Sequence, residues 1–134
     1  MLNGLDQVSV VIPVLNDWSA LRALLQALTP FKELEIVVVD GGSDEASIDT
    51  LQPPVRLFKT ERGRALQLRS GVEATERPWL WFLHADSVVT GTVVEALQRA
   101  LEKGQWGRFD VTFSQDTRWF RLIASAMNER SALP

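Results

Sequence analysis

An α/β sandwich, with a mostly parallel sheet flanked by helices, is the fold class this sequence predicts. Three observations predict it. Short runs rich in β-branched residues alternate with segments of helical spacing. Two runs, Ile36-Val37-Val38-Val39 and Trp79-Leu80-Trp81-Phe82-Leu83, are apolar at every position, as strands buried on both faces are. Polar or glycine-containing clusters follow these runs directly. The resulting order, βαβαβαβαβα, implies right-handed crossovers.

The first run is Val8-Ser9-Val10-Val11-Ile12, a short buried strand that Pro13 is expected to end. Asn16 and Asp17 are placed to cap a helix beginning near Trp18, whose Trp18, Leu21, Leu25 and Leu28 recur at helical spacing. Pro30 stops it. The second strand runs from Glu35 to Asp40 and leads into Gly41-Gly42-Ser43. A short helix over 46–51 and a third strand over 55–59 follow, then the loop Glu61-Arg62-Gly63-Arg64 and a helix over 65–75. Pro78 introduces the fourth strand. Thr92-Val93-Val94-Glu95 has capping-box spacing and opens a helix that ends near Gly104. Phe109, Val111 and Phe113 alternate as in a half-exposed fifth strand, which Trp106 begins. A last helix is expected over 118–130.

The chain has 134 residues, enough for one domain, read as 1–134. Hydrophobic residues make up 46% and charged residues 23%, which is a globular composition. The net charge of -3 offers no basic field for nucleic acid or anionic lipid. There are no cysteines, which excludes disulfides, thiolate catalysis and cysteine-bound metal. With one histidine, any metal site would rest on carboxylates and take a hard cation such as Mg²⁺ or Mn²⁺. The longest apolar run, Val8 to Leu15, falls short of the roughly 20 residues a spanning helix needs. No signal peptide is read at the N-terminus, and the expected location is the cytoplasm.

Ligands of open α/β sheets bind beyond the carboxyl ends of the strands. Four polar clusters lie there: Asn16 and Asp17, Asp40 to Asp44, Arg62 to Arg64, and His84 to Asp86. Asp40, ahead of two glycines, either accepts hydrogen bonds from a ligand or caps its own turn. Asp86 either binds a divalent cation bridging two phosphates or caps a turn. His84 either contacts ribose or phosphate or is a strand-end residue with internal partners. Lys59, Arg62, Arg64 and Arg69 form a basic cluster in an acidic chain, and Arg64, beside a glycine at a strand-to-helix loop, is the best candidate to meet a diphosphate. Trp79 and Trp81 read as core, and Trp18 as part of its helix's packing face.

These residues carry a resemblance. Val8 to Asn16 (VSVVIPVLN), Ile36 to Asp44 (IVVVDGGSD), Gly63 to Gly71 (GRALQLRSG) and Leu80 to Ser87 (LWFLHADS) resemble the successive motifs of family 2 glycosyltransferases. Leu83-His84-Ala85-Asp86 and Trp106-Gly107-Arg108-Phe109-Asp110-Val111 are similar to a bacterial subgroup, the arsenosugar-biosynthesis-type glycosyltransferases. The resemblance implies a GT-A (Rossmann-like) fold, a nucleotide-sugar donor and a divalent cation. It places Pro13 and Asn16 by the nucleoside, Asp40 facing the base, and Asp86 as the metal ligand of a DxD-like motif in which His84 replaces the usual acidic first position; Gly42, after Asp40, is expected to let the backbone come close to the ligand. It also implies an acceptor half with a catalytic base. The sequence ends at Pro134 before such a half, so the donor half alone is expected, with the catalytic base unknown and Asp110 the least unsuitable residue. The widely apolar segment 118–130 is expected to self-associate as a helix. Two other readings remain open: another nucleotide enzyme such as a nucleotidyltransferase or dehydrogenase, although no G-x-G-x-x-G or P-loop follows the first strand, and an interaction module without catalysis.

Overall fold

The computed structural model describes residues 4–43, 51, 54–103, 110–111 and 120–123. After a single 3-10 turn at Leu5–Gln7, the elements are β1 (Val8–Val14), α1 (Trp18–Leu28), β2 (Glu35–Asp40), β3 (Arg56–Lys59), α2 (Arg64–Glu73), β4 (Trp79–Phe82), α3 (Gly91–Lys103), β5 (Asp110–Val111) and β6 (Phe120–Ile123). They form one sheet in the order β3-β2-β1-β4-β6-β5. Every neighbouring pair is parallel except β5 with β6. The expected α/β class is therefore the observed one, a mostly parallel sheet flanked by helices.

Register explains the burial. Val8, Val10, Ile12 and Val14 of β1, Ile36 and Val38 of β2, and Trp79 and Trp81 of β4 share one face. Against it lie Trp18, Leu21, Leu24 and Leu28 of α1 and Val94 and Leu97 of α3. Trp18 and Trp81 are fully buried and Trp79 nearly so, as core tryptophans are. The opposite face carries Val11 and Val39 toward α2. That helix has no apolar stripe: its buried residues are Gln67, Gly71 and Val72. A Cβ at Gly71 would collide with Val11 Cγ1 and lie 3.2 Å from Val39 Cγ2, so the glycine lets α2 sit directly on β1 and β2.

Four details differ from the sequence reading. Pro13 lies inside β1 rather than ending it. The Val11 carbonyl accepts a bond from Leu83 on the β4 side, and Pro13 shares its parity. The β1–β4 register stops at Val11 and Phe82, so the missing N–H of Pro13 falls where no strand asks for it. Asp17 occupies the N-cap of α1 but makes no side-chain cap bond, and the chain reaches it through Asn16 in the left-handed region (φ 62°). The cap of α3 is Thr90, whose Oγ1 accepts from the Val93 N–H at 3.2 Å, and not Thr92.

The fourth detail is the largest. Phe120–Ile123, expected in a helix, is a strand between β4 and β5. Its apolar breadth suits an inner strand of a sheet, and the rest of the expected helix over 118–130 lies outside the described residues. The expected helix over 46–51 and Trp106 lie largely or wholly outside the described residues. The expected fifth strand is described only at Asp110–Val111.

At the amino edge of the sheet, Arg77 closes the structure. Its guanidinium donates to the carbonyls of Val8 (2.9 Å) and Glu33 (2.7 Å), and Nε lies 4.0 Å from the Glu35 carboxylate. Glu35 also takes bonds from Ser9 Oγ and, at 2.9 Å, from Arg56. Replacing Arg77 by Met should lower stability by about 2 kcal/mol, since charge-assisted bonds to two backbone carbonyls are lost. Gly71→Ala should cost about 1–3 kcal/mol through overpacking against Val11. Urea unfolding of both variants measures this, and an unchanged midpoint for Gly71→Ala would contradict the close seating of α2.

Candidate functional site

The strand order reverses direction between β1 and β4. From β1 the chain moves to β2 and β3, and from β4 it leads to the other side of the sheet. The carboxyl edge at this switch is where open α/β sheets hold ligands. Four described segments meet there: 15–17 after β1, 41–43 after β2, 60–63 before α2, and 83–87 after β4.

Asp40 organises the second of them. Its Oδ2 accepts from the backbone N–H groups of Gly42 and Ser43, both at 2.9 Å, and its Oδ1 accepts from the Ser43 hydroxyl. The residue is 1% exposed. Of the two readings the sequence left open, the geometry shows the self-capped turn, and the carboxylate does not face open space as a ligand-facing group would. Gly42 (φ 104°) supplies the left-handed backbone this turn needs. Ser43 then extends the network: its Oγ accepts the Asn16 N–H at 2.7 Å. The exposed Asn16 is thereby held in its left-handed conformation, which asparagine tolerates better than most residues. Pro13, part-buried beneath this loop, pairs with Val39.

The other side of the rim is charged. Arg64, the first residue of α2, places NH1 3.2 Å from Nδ1 of His84. A guanidinium only donates, so Nδ1 is the acceptor in this contact. The His84 backbone N–H donates to Ser87 Oγ at 2.9 Å, and the Ser87 N–H returns to the His84 carbonyl at 2.9 Å. This closed turn presents Asp86 to solvent. Arg64, His84 and Asp86 are all exposed on the same rim, while Asp40 is not.

Among the described residues no three His, Asp or Glu side chains gather to hold a metal ion. A single exposed carboxylate, two residues beyond His84, would hold a cation only together with phosphate oxygens and water, not in a protein cage. Asp86 is the residue that would hold it.

Beside this rim a cavity of about 240 Å³ is lined by Pro13, Val14, Leu15, Arg62, Gly63, Arg64 and Gln67. A larger hollow of about 580 Å³ lies at the far end of the sheet, between the end of α1, Ile36 and Val55. Its lining is mainly apolar, with Arg22, Gln26, Thr29 and Lys32 among it, and it lies away from the carboxyl edge at the switch point, so the smaller cavity is the one that adjoins the rim. Gln67 escaped the sequence reading because a buried glutamine on a helix gives no periodic signal. The spacing Gln67-x-x-x-Gly71, one face of a helix with little apolar content, is the only trace of it.

A model of the family described as Glycosyl transferase family 2 matches residues 9–133. An uncharacterized glycosyltransferase, YibD, of Escherichia coli (strain K12) is 27% identical over 106 residues. That alignment covers 72% of this chain and 31% of the relative, so the chain matches about a third of the relative's length. With a family match across nearly all of its residues, the chain belongs to glycosyl transferase family 2.

Proposed function

We propose that this chain is a domain that binds a nucleoside-diphosphate sugar along the carboxyl edge of its sheet, for glycosyl transfer to an acceptor. The observation that carries the reading is the meeting of Arg64, His84 and Asp86 on one exposed rim at the switch point, with Arg64 and His84 3.2 Å apart. Two cationic or donor groups beside one carboxylate suit a diphosphate accompanied by a divalent cation, Mg²⁺ or Mn²⁺, at Asp86. Such a cation, when bound, would offset the charge that develops on the leaving diphosphate. Arg64 donates to the same oxygens and acts in the same direction.

The nucleoside lies toward β1 and β2, against Pro13, Asn16 and the Asp40–Ser43 turn. Strands β2 and β4 are separated by β1, roughly 10 Å apart from centre to centre, which matches the span of a nucleoside diphosphate better than a shared ion. Asp40 serves by shaping the loop through Gly42 and Ser43. Membership of the arsenosugar-biosynthesis-type subgroup is the finer proposal, supported by Leu83-His84-Ala85-Asp86. A cytoplasmic site of action is part of the same proposal. No described helix is long and apolar enough to cross a membrane.

Calorimetry with UDP and GDP tests the reading. With Mn²⁺ present, Asp86→Ala should weaken binding, whereas in EDTA it should change little. Arg64→Ala should lose about tenfold in both conditions, the value of one charge-assisted contact. Binding indifferent to both Mn²⁺ and Asp86 would remove the assigned role of that carboxylate. Binding of NAD or ATP without UDP or GDP would point to a different nucleotide enzyme.

A further inference from the structure

Gln67 is 4% exposed, in a ten-residue helix otherwise buried only through Gly71 and Val72. Its side-chain amide donates to two strand-end carbonyls, Val14 at 3.0 Å and Val39 at 2.9 Å. Neither carbonyl belongs to α2. One planar amide thus joins the last residue of β1, the penultimate residue of β2 and the first turns of α2. The loop bearing Asn16 leaves from the first carbonyl, and the turn built on Asp40 leaves from the second.

The fit around this amide is tight. A Cβ at Gly41 would stand 2.7 Å from both Cδ and Oε1 of Gln67, so only glycine leaves room for the amide there. On the other side Gln67 lines the cavity under Arg62 and Arg64. Satisfying the Val14 carbonyl does not require it, because the Gly41 N–H already donates to that oxygen at 3.0 Å. What the amide adds is a fixed separation of two strand ends at the point where both loops depart for the rim. Gly71, four residues on and on the same face, brings α2 close enough for the amide to reach.

We propose that Gln67 is a positioning residue for the nucleoside half of the donor site: it sets the spacing of the Asn16 and Asp40–Ser43 loops without touching the ligand's diphosphate. The inference rests on the donor-site reading above. It separates two halves of one rim, with loops tied by Gln67 on one side and Arg64, His84 and Asp86 on the other.

The test compares UDP, GDP and inorganic pyrophosphate, each with Mn²⁺, by calorimetry on the full chain. Gln67→Met keeps length and burial and removes both donors. It should weaken UDP or GDP binding about tenfold or more, as displaced supporting contacts do, and leave pyrophosphate within about twofold. Val72→Ala, a buried apolar truncation in the same helix, should lower the melting temperature and leave nucleotide affinity unchanged. Gly41→Ala crowds the same amide from the opposite side and should show the same split between nucleotide and pyrophosphate; it serves as the test if Gln67→Met does not fold. Nucleotide affinity unchanged in Gln67→Met overturns the inference. So does a pyrophosphate loss as large as the nucleotide loss, or an equal nucleotide loss in Val72→Ala. A wild-type chain that binds neither UDP nor GDP overturns the donor-site reading itself, and this inference with it.

Discussion

The seating of α2 on the sheet is the contact on which the rim depends. Most helices dock through an apolar stripe, and the distance between helix and sheet is then set by side-chain bulk. Here a glycine takes the central place, directly over Val11 and Val39. The helix comes close, and the Gln67 amide one turn earlier reaches the ends of β1 and β2. The same placement aims the first residue of α2, Arg64, across the edge toward His84. One backbone approach therefore fixes the cavity, the loop spacing and the charged side of the rim together.

The rim itself divides by chemistry. Around β2, polar groups are turned inward: the Asp40 carboxylate binds its own turn, and Ser43 passes that order on to Asn16. A carboxylate that accepts several hydrogen bonds in a buried turn acts as a structural anchor for the backbone around it. Around β4 the polar groups are turned outward, and the turn closed by Ser87 holds Asp86 in solvent. A ligand lying from β2 to β4 would meet shaped backbone at one end and charge at the other. That polarity matches a molecule with a neutral ring system at one end and a diphosphate at the other.

The far edge of the sheet is polar for a different reason. Glu35, Arg56, Arg77 and Ser9 interlock there with backbone carbonyls from three segments. These groups bind each other and backbone carbonyls near strand and helix ends, so among the described residues they close this edge of the sheet. Charged residues alone do not distinguish the two edges in the sequence. Whether their partners are internal does.

By itself the sequence determined the alternation of strands and helices, the parallel sheet and the edge on which the polar clusters fall. Those properties follow from hydrophobic periodicity and from the position of polar residues just after apolar runs, both of which are local. It also marked Arg64, His84 and Asp86, because charge next to a strand end is visible in one dimension. Tertiary structure alone decided the rest. It decided that Asp40 binds its own turn, that Pro13 can remain inside β1, that Phe120–Ile123 is an inner strand and that Gln67 joins two strands. Each of these depends on which neighbour stands across the sheet or under the helix, and on how close it comes. Hydrogen-bond partners 28 or 53 residues away, as for Gln67, leave no periodic mark on the chain that makes them.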